Sequence, residues 1–287
     1  MTETLREALH RAAAALAAAG SDEAALEAEL LLAHALGTDR THLYQRLSDD
    51  LPPDAAAAFE ALLRRRLAHE PTAYIVGHRE FFGLEFEVAP AAIIPRPETE
   101  TLVELVLAFV SERGLAAPRI ADVGVGCGAI AVSLAVSLPR AEILAVDVSP
   151  DALALARRNA ERHGVAGRID FREGDLLAPL QGSSRRVDVI AANLPYVRSA
   201  DFEASPPEIR GHEPRLGLDG GRDGLRLIDR LLRDAPAYLK PGGALFAEIG
   251  EEQGEAALSL ARPCFPQAQI EVKPDLSGLD RVLVVRT

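Results

Sequence analysis

Asp122-Val123-Gly124-Val125-Gly126-Cys127-Gly128 decides the fold class of this chain. The residues before it, Arg119–Val123, read as a strand, and those after it, Ala129–Ser137, as a helix. Three glycines at such a turn let the backbone take positive φ and let a ligand approach without meeting a Cβ. An acid about 20 residues further on, ending the next strand, can take both hydroxyls of a ribose. Asp147 stands there, at the end of Leu144-Ala145-Val146. The glycines run G-x-G-x-G, without the third glycine that a dinucleotide fingerprint packs beneath a pyrophosphate. Asp122 precedes them, and a carboxylate there repels phosphate but pairs with an amine. S-adenosylmethionine has a cationic amino-acid end and no phosphate, so it is the expected cofactor. Gly174-Asp175-Leu176, after the third strand, is either a turn or the wall beside the adenine.

Outward from the loop, strands and helices alternate. Glu142–Asp147 reads as a strand, Pro150–His163 as a helix, and Ile169–Arg172 and Val187–Ala192 as strands. A long loop then runs to about Gly221. Helix Leu225–Leu239, strand Gly243–Ile249, helix Glu252–Ala261 and strands Gln269–Val272 and Arg281–Val285 close the chain. Apolar strands alternating with helices predict an α/β fold with a parallel sheet covered on both faces. The last two strands have no helix between them, which predicts an antiparallel end. Tyr74 to Val88 is aromatic and β-branched and predicts a bridging hairpin.

Residues 2–70 read as helices. Leu5, Leu9, Ala12 and Leu16 share one face; Ser21-Asp22-Glu23 opens a second helix; Pro52-Pro53-Asp54 opens another that runs through Leu67. Arg64-Arg65-Arg66 suits the negative end of that helix dipole and reads as a solvated face.

The 287 residues suit about two domains. With 48% hydrophobic and 26% charged residues, the composition excludes a disordered or fibrous chain. No apolar run approaches the roughly 18–20 residues that span a bilayer, and no secretory leader is apparent, so the cytoplasm is the expected location. The net charge of −12 disfavours direct nucleic-acid binding. Cys127 and Cys264 are too few for a disulfide framework or a metal cluster, and no metal is expected.

Val187–Ala192 leads into Asn193-Leu194-Pro195-Tyr196, at the carboxyl end of a core strand, where open α/β sheets bind ligands. A planar amide nitrogen is a poor nucleophile because its lone pair is delocalised. A site that methylates one must hold the NH2 by its hydrogens and aim the nitrogen at the sulfonium methyl. Asn193 can accept through its side-chain oxygen, and Leu194 or Pro195 through a main-chain carbonyl. Tyr196 offers a flat face for a planar group. Asn193, Pro195 and Tyr196 are therefore the candidate catalytic residues, and Asn193 to Tyr196 the candidate substrate grip.

These residues resemble the N5-glutamine methyltransferases of bacterial release factors, the PrmC/HemK family. The resemblance extends through Phe81-Phe82-Gly83-Leu84, Ile94-Pro95-Arg96-Pro97-Glu98-Thr99-Glu100, His212-Glu213-Pro214, Gly220-Gly221-Arg222-Asp223-Gly224-Leu225 and Glu248-Ile249-Gly250. It implies a five-helix N-terminal domain over 1–72 that recognises the substrate protein and a linking hairpin over 73–91. It further implies a seven-stranded, Rossmann-like class I methyltransferase domain over 92–287. By matching motif, Asp122, Val123, Gly124, Val125, Gly126, Asp147, Asp175, Leu176 and Asn193 would contact S-adenosylmethionine. The implied reaction is methylation of the glutamine amide in the Gly-Gly-Gln motif of class-1 release factors. Where the family usually has Asn-Pro-Pro-Tyr, this chain has Leu194; Asn-Leu-Pro-Tyr also resembles the motif of rRNA adenine dimethyltransferases. The alternatives are therefore an N6-adenine methyltransferase acting on DNA or rRNA, or N5-glutamine methylation of a ribosomal protein.

Overall fold

The computed structural model describes residues 3–181 and 186–287; Thr2, where the helical reading begins, lies outside them. The chain divides into two compact units, one of residues 1–78 with 206–212, the other of 79–205 with 213–287.

The first unit contains α1 (Leu5–Ala18), α2 (Ala24–Ala35), α3 (Arg40–Gln45), α4 (Pro53–Leu67) and α5 (Thr72–Val76). Thr4 and Glu7 form a reciprocal capping box at the start of α1. Leu5, Ala12, Leu16, Leu31, Leu32, Phe59 and Leu63 make the core of this unit. Ser21 does not cap α2; its hydroxyl donates to Glu27 at 2.7 Å. Tyr74-Ile75-Val76 belongs to a helix rather than the hairpin. Pro71 stands at its N-cap and Gly77, at φ +84°, ends it, so backbone punctuation overrides the β-rich composition. The arginine run is also not a uniform solvated face. Arg65 pairs with Glu70 at 2.6 Å. Arg66 is buried and bonded to Glu27 at 2.8 Å and Glu208 at 2.6 Å. Arg64 and Arg65 keep the exposed place expected of all three.

In the second unit, β1 (His78–Phe81) and β2 (Leu84–Glu87) form a hairpin. Phe82 and Gly83 both take positive φ, as a two-residue turn of this hand requires. The large sheet uses β3 (Arg119–Val123), β4 (Glu142–Asp147), β5 (Ile169–Glu173) and β6 (Val187–Ala192). After the two-residue β7 (Val197–Arg198) and β8 (Asp219–Gly221), it is completed by β9 (Leu239–Glu248), β10 (Gln269–Pro274) and β11 (Asp280–Arg286). Its order is β10-β11-β9-β6-β3-β4-β5. The pairs β3–β4, β4–β5, β3–β6 and β6–β9 are parallel, while β11 runs antiparallel to both neighbours. This is the seven-stranded Rossmann-like α/β sheet expected, with its antiparallel end.

Alternation along the strands sends Ile120, Val189 and Ala191 to one face and Ala121, Ile190 and Ala192 to the other. The first face is covered by α6 (Glu100–Glu112), α7 (Ala129–Ser137) and α8 (Pro150–Arg162). The segment expected as a loop before Gly221 instead holds α9 (Ser199–Ala204), α10 (Pro207–His212) and the β7–β8 ribbon. These six-residue helices are too short to show a legible period. The second face is covered by α11 (Arg226–Asp234) and α12 (Gly254–Cys264).

Candidate active site

The strand order reverses beside β3: the chain runs outward through β4 and β5, then crosses back to β6. A crevice opens at the carboxyl ends of strands at such a switch point. Because Val123 pairs with Ala192, the glycine loop after β3 and Asn193 after β6 start side by side. Gly124 takes φ +80°, which strains any other residue, and a Cβ there would crowd Leu194 Cδ2 at 3.1 Å and the Asn193 carbonyl oxygen at 3.4 Å. The two sequence motifs are therefore in contact.

Hydrogen bonds hold the loop from behind. The Gly124 and Val125 N–H groups both donate to the Val146 carbonyl, at 2.8 and 3.0 Å. Asp147 Oδ2 accepts from Gly126 N–H and Oδ1 from Ser149 N–H, each at 2.9 Å. Each carboxylate oxygen keeps a further lone pair for a ribose hydroxyl. Fully buried Asn159 donates to the Cys127 carbonyl at 2.8 Å and the Glu87 carbonyl at 3.0 Å, and accepts from Glu87 N–H at 2.7 Å, tying the loop to the hairpin.

A cavity of about 830 Å³ fills the crevice, within the usual range for small-ligand sites. Of the residues expected to meet the cofactor, Val123, Gly124, Gly126, Asp147, Asp175, Leu176 and Asn193 line it. Asp122 and Val125 do not. Asp122 points to the α7 side of the sheet and is fully buried. Burial pushes its carboxyl up to about 7, opposed by the Ala131 N–H and reinforced by Asp147. Val125 belongs to the core, and so does Cys127, whose thiol burial pushes up to about 12. Asp175 is exposed and ion-paired to Arg230 at 2.7 Å. A loop lined by glycine backbone, facing an acid with lone pairs to spare, fits an adenosine-bearing cofactor.

Asn193, Leu194 and Pro195 also line the cavity, while Tyr196 stands back from it. The Asn193 side-chain NH2 donates to Thr99 Oγ1 at 3.1 Å. The Tyr196 hydroxyl donates to Glu248 Oε1 at 3.1 Å, and burial and that neighbour raise its pKa, so it stays a donor. Gln253 Nε2 donates to the Tyr196 carbonyl at 2.9 Å. Gly220 and Gly224 lie over this loop, where a Cβ would reach 2.5 Å from the Pro195 oxygen and 2.0 Å from the Tyr196 oxygen. Arg96 pairs with buried Glu213, which also accepts from Ile94 N–H at 3.1 Å. Several wall residues escaped sequence reasoning, among them Ile93, Ser149, Leu216 and Arg226. Proximity to the Arg96 and Gly220 motifs was the available signal for Ile93 and Arg226. Leu216 gave none, although it is 64% exposed at the cavity edge. Among the described residues, no group of three or more His, Cys, Asp or Glu could hold a metal.

Comparison with known proteins agrees with this geometry. Residues 7–77 match the PrmC N-terminal domain, and residues 120–212 a methyltransferase domain. A release factor glutamine methyltransferase of Moorella thermoacetica is 45% identical, aligned over 97% of this chain and 96% of its own. One of Geobacter sulfurreducens is 44% identical over 98% and 95%. Among solved structures, a methyltransferase from Pyrococcus furiosus superposes with a TM-score of 0.51 at 18% identity, covering 71% of this chain and 89% of its own. A Thermus thermophilus 16S rRNA methyltransferase, solved with AdoMet and guanosine, gives 0.51 at 18% identity, covering 73% and 49%. At such identity these two show the fold alone. With full-length relatives well above 30% identity and a cavity built for its cofactor, this chain is a member of the release factor glutamine methyltransferase family and an S-adenosylmethionine-dependent methyltransferase.

Proposed function

We propose that the enzyme methylates the side-chain amide nitrogen of the glutamine in the Gly-Gly-Gln motif of class-1 release factors, in the cytoplasm. One observation carries the reading: Asn193 and Leu194 form a cavity wall directly against Gly124 of the cofactor loop. An amide held there would lie beside a methyl donor bound on that loop. The cofactor supplies a methyl group on a positively charged sulfur.

The remaining work belongs to the chain. Asp147 would take the ribose hydroxyls, and the glycine backbone leaves space for the cofactor beside it. Asn193 Oδ1 and the main-chain carbonyl of Leu194 or Pro195 accept the two amide hydrogens, which fixes the nitrogen and favours localisation of its lone pair. Rate then comes from position and electrostatics rather than a strong base: as the methyl passes to nitrogen the cofactor's sulfonium leaves as a neutral thioether, and the nitrogen, cationic while it keeps both hydrogens, is far more acidic than the starting amide and releases one proton to water. Leu194 keeps the carbonyl that the usual proline supplies. No helix among the described residues is long and apolar enough to cross a membrane.

The test is mass spectrometry of a purified release factor after incubation with enzyme and cofactor. One added methyl group on the Gly-Gly-Gln glutamine is expected. Transfer to nucleic acid or to a ribosomal protein, with the release factor unmodified, would overturn the reading.

A further inference from the structure

Gln253 stands at the N-cap of α12, where serine, threonine, asparagine or aspartate would bond the first turn, yet its side chain makes no capping bond. It serves the amide wall instead. Nε2 donates to the Tyr196 carbonyl at 2.9 Å and to the Asp223 carbonyl at 3.2 Å, and Oε1 accepts from Gly250 N–H at 2.8 Å. The segments that follow β6, β8 and β9 thus meet on one carboxamide. Two glycines permit the approach. A Cβ on Gly224 would lie 2.4 Å from Nε2 and 2.0 Å from the Tyr196 oxygen, and one on Gly250 would lie 3.2 Å from Oε1.

We infer that Gln253 is a positioning residue that holds the Asn193–Tyr196 loop in place by fixing its last carbonyl. The inference rests on the glutamine-amide reading above and adds to it a residue that does not line the cavity. Two partners of the Gln253 amide are carbonyls and need N–H groups; the third is an N–H group and needs an oxygen. A carboxamide supplies two donors and an acceptor in one plane, whereas a carboxylate has no donor and an ammonium no acceptor. The same partners settle which way the amide faces, since half a turn would set its oxygen against two oxygens and its NH2 against an N–H. Tyr196 is consequently held at both ends, its hydroxyl by Glu248 Oε1 at 3.1 Å and its carbonyl by Gln253. With the carbonyl released, the loop is free to shift, and a displacement of about 1 Å at a reacting group is enough to cost roughly 100-fold in rate.

The test uses the full-length enzyme with Gln253→Met and Gln253→Glu. Methionine keeps the length without polar ends; glutamate keeps the acceptor for Gly250 but turns a carboxylate oxygen against two carbonyls. Each should lower kcat for the release factor about 10- to 100-fold, while KM for S-adenosylmethionine stays within about threefold. In NMR spectra, the Asn193 side-chain NH2, assigned by its loss in Asn193→Asp, should exchange with solvent faster in Gln253→Met than in the wild type. The Gly126 N–H, bonded to Asp147 on the cofactor wall, should keep its shift. Unchanged kcat in either variant, a KM for the cofactor that worsens as much as kcat, an Asn193 signal indifferent to Gln253→Met, or a Gly126 signal that moves with it would each overturn the inference. Should Gln253→Met fail to fold, Gln253→Glu decides the matter by the same readouts. If the wild type leaves release factors unmodified, the functional reading fails, and the NMR arm still tests whether Gln253 holds the loop.

Discussion

The two walls of the cavity are built on opposite plans. The cofactor wall comes from one βαβ unit and depends on backbone: Gly124, Val125 and Gly126 are held through their N–H groups by Val146 and Asp147. The amide wall is assembled from four distant segments, and side chains hold it: Thr99, Glu248 and Gln253 bond Asn193 and Tyr196, with Gly220 and Gly224 closing over them. A cofactor of constant shape can be met by fixed main chain. Orienting one amide demands groups whose donor and acceptor ends can be chosen, and only side chains offer that choice.

The contrast predicts that damage to each wall shows in a different constant. On the amide wall, Asn193→Ala should lower kcat at least about a thousandfold, the scale of losing a hydrogen-bonding group aimed at the reacting centre. Cofactor Kd, measured by calorimetry, should stay within a few fold; substantial turnover in this variant would remove Asn193 from the mechanism.

Beneath the cofactor wall, Asp122 gives the next largest effect, on stability. Burial raises its carboxyl to about 7, against about 3.9 in an unfolded chain. Between those values the folded state holds the extra proton. Its contribution is therefore full below the unfolded value and lost as pH rises through the folded one. Asp122→Asn abolishes that loss, so its advantage over wild type in urea unfolding should grow from about pH 4 to about pH 7 and then level off. The advantage should reach at most about 4 kcal/mol. A difference independent of pH would show that Asp122 is ionised throughout.

Asp147→Ala removes the expected ribose contacts and should raise cofactor Kd about 10- to 100-fold, as for charge-assisted hydrogen bonds. At saturating cofactor, kcat should be nearly unchanged; an equal fall in kcat would mean the two walls are not separable. Leu194→Pro, where the walls touch, should be the mildest change. It keeps the carbonyl, and steady-state kcat/KM should move by less than about fivefold.

These differences also explain what could be read in advance. Asp147 and the glycine loop are legible because a strand, a turn and the next strand end fall at a fixed separation. Thr99 and Glu248 stand out only as parts of motifs, since a threonine in Pro97-Glu98-Thr99 does not announce a partner so far along the chain. Helix α6 is hard to read from sequence although Leu102, Val103, Val106, Phe109 and Val110 follow helical spacing, because its β-branched residues and the prolines before it obscure the period. Tyr74-Ile75-Val76 went the other way, a β-rich triplet made helical by Pro71 and Gly77. Arg66 looked like its neighbours until Glu27 and Glu208 buried it.

Sequence alone determined the α/β class, the G-x-G-x-G turn, the acid that ends the next strand and the candidate amide tetrapeptide. Each depends on spacing along a single strand–helix unit, which local stereochemistry dictates. Tertiary structure decided that β6 lies beside β3, that Asp122 points away from the cavity, and that Thr99 meets Asn193 while Glu248 meets Tyr196. Those outcomes depend on strand order and on which sheet face a residue meets, and both are settled only when distant segments pack together.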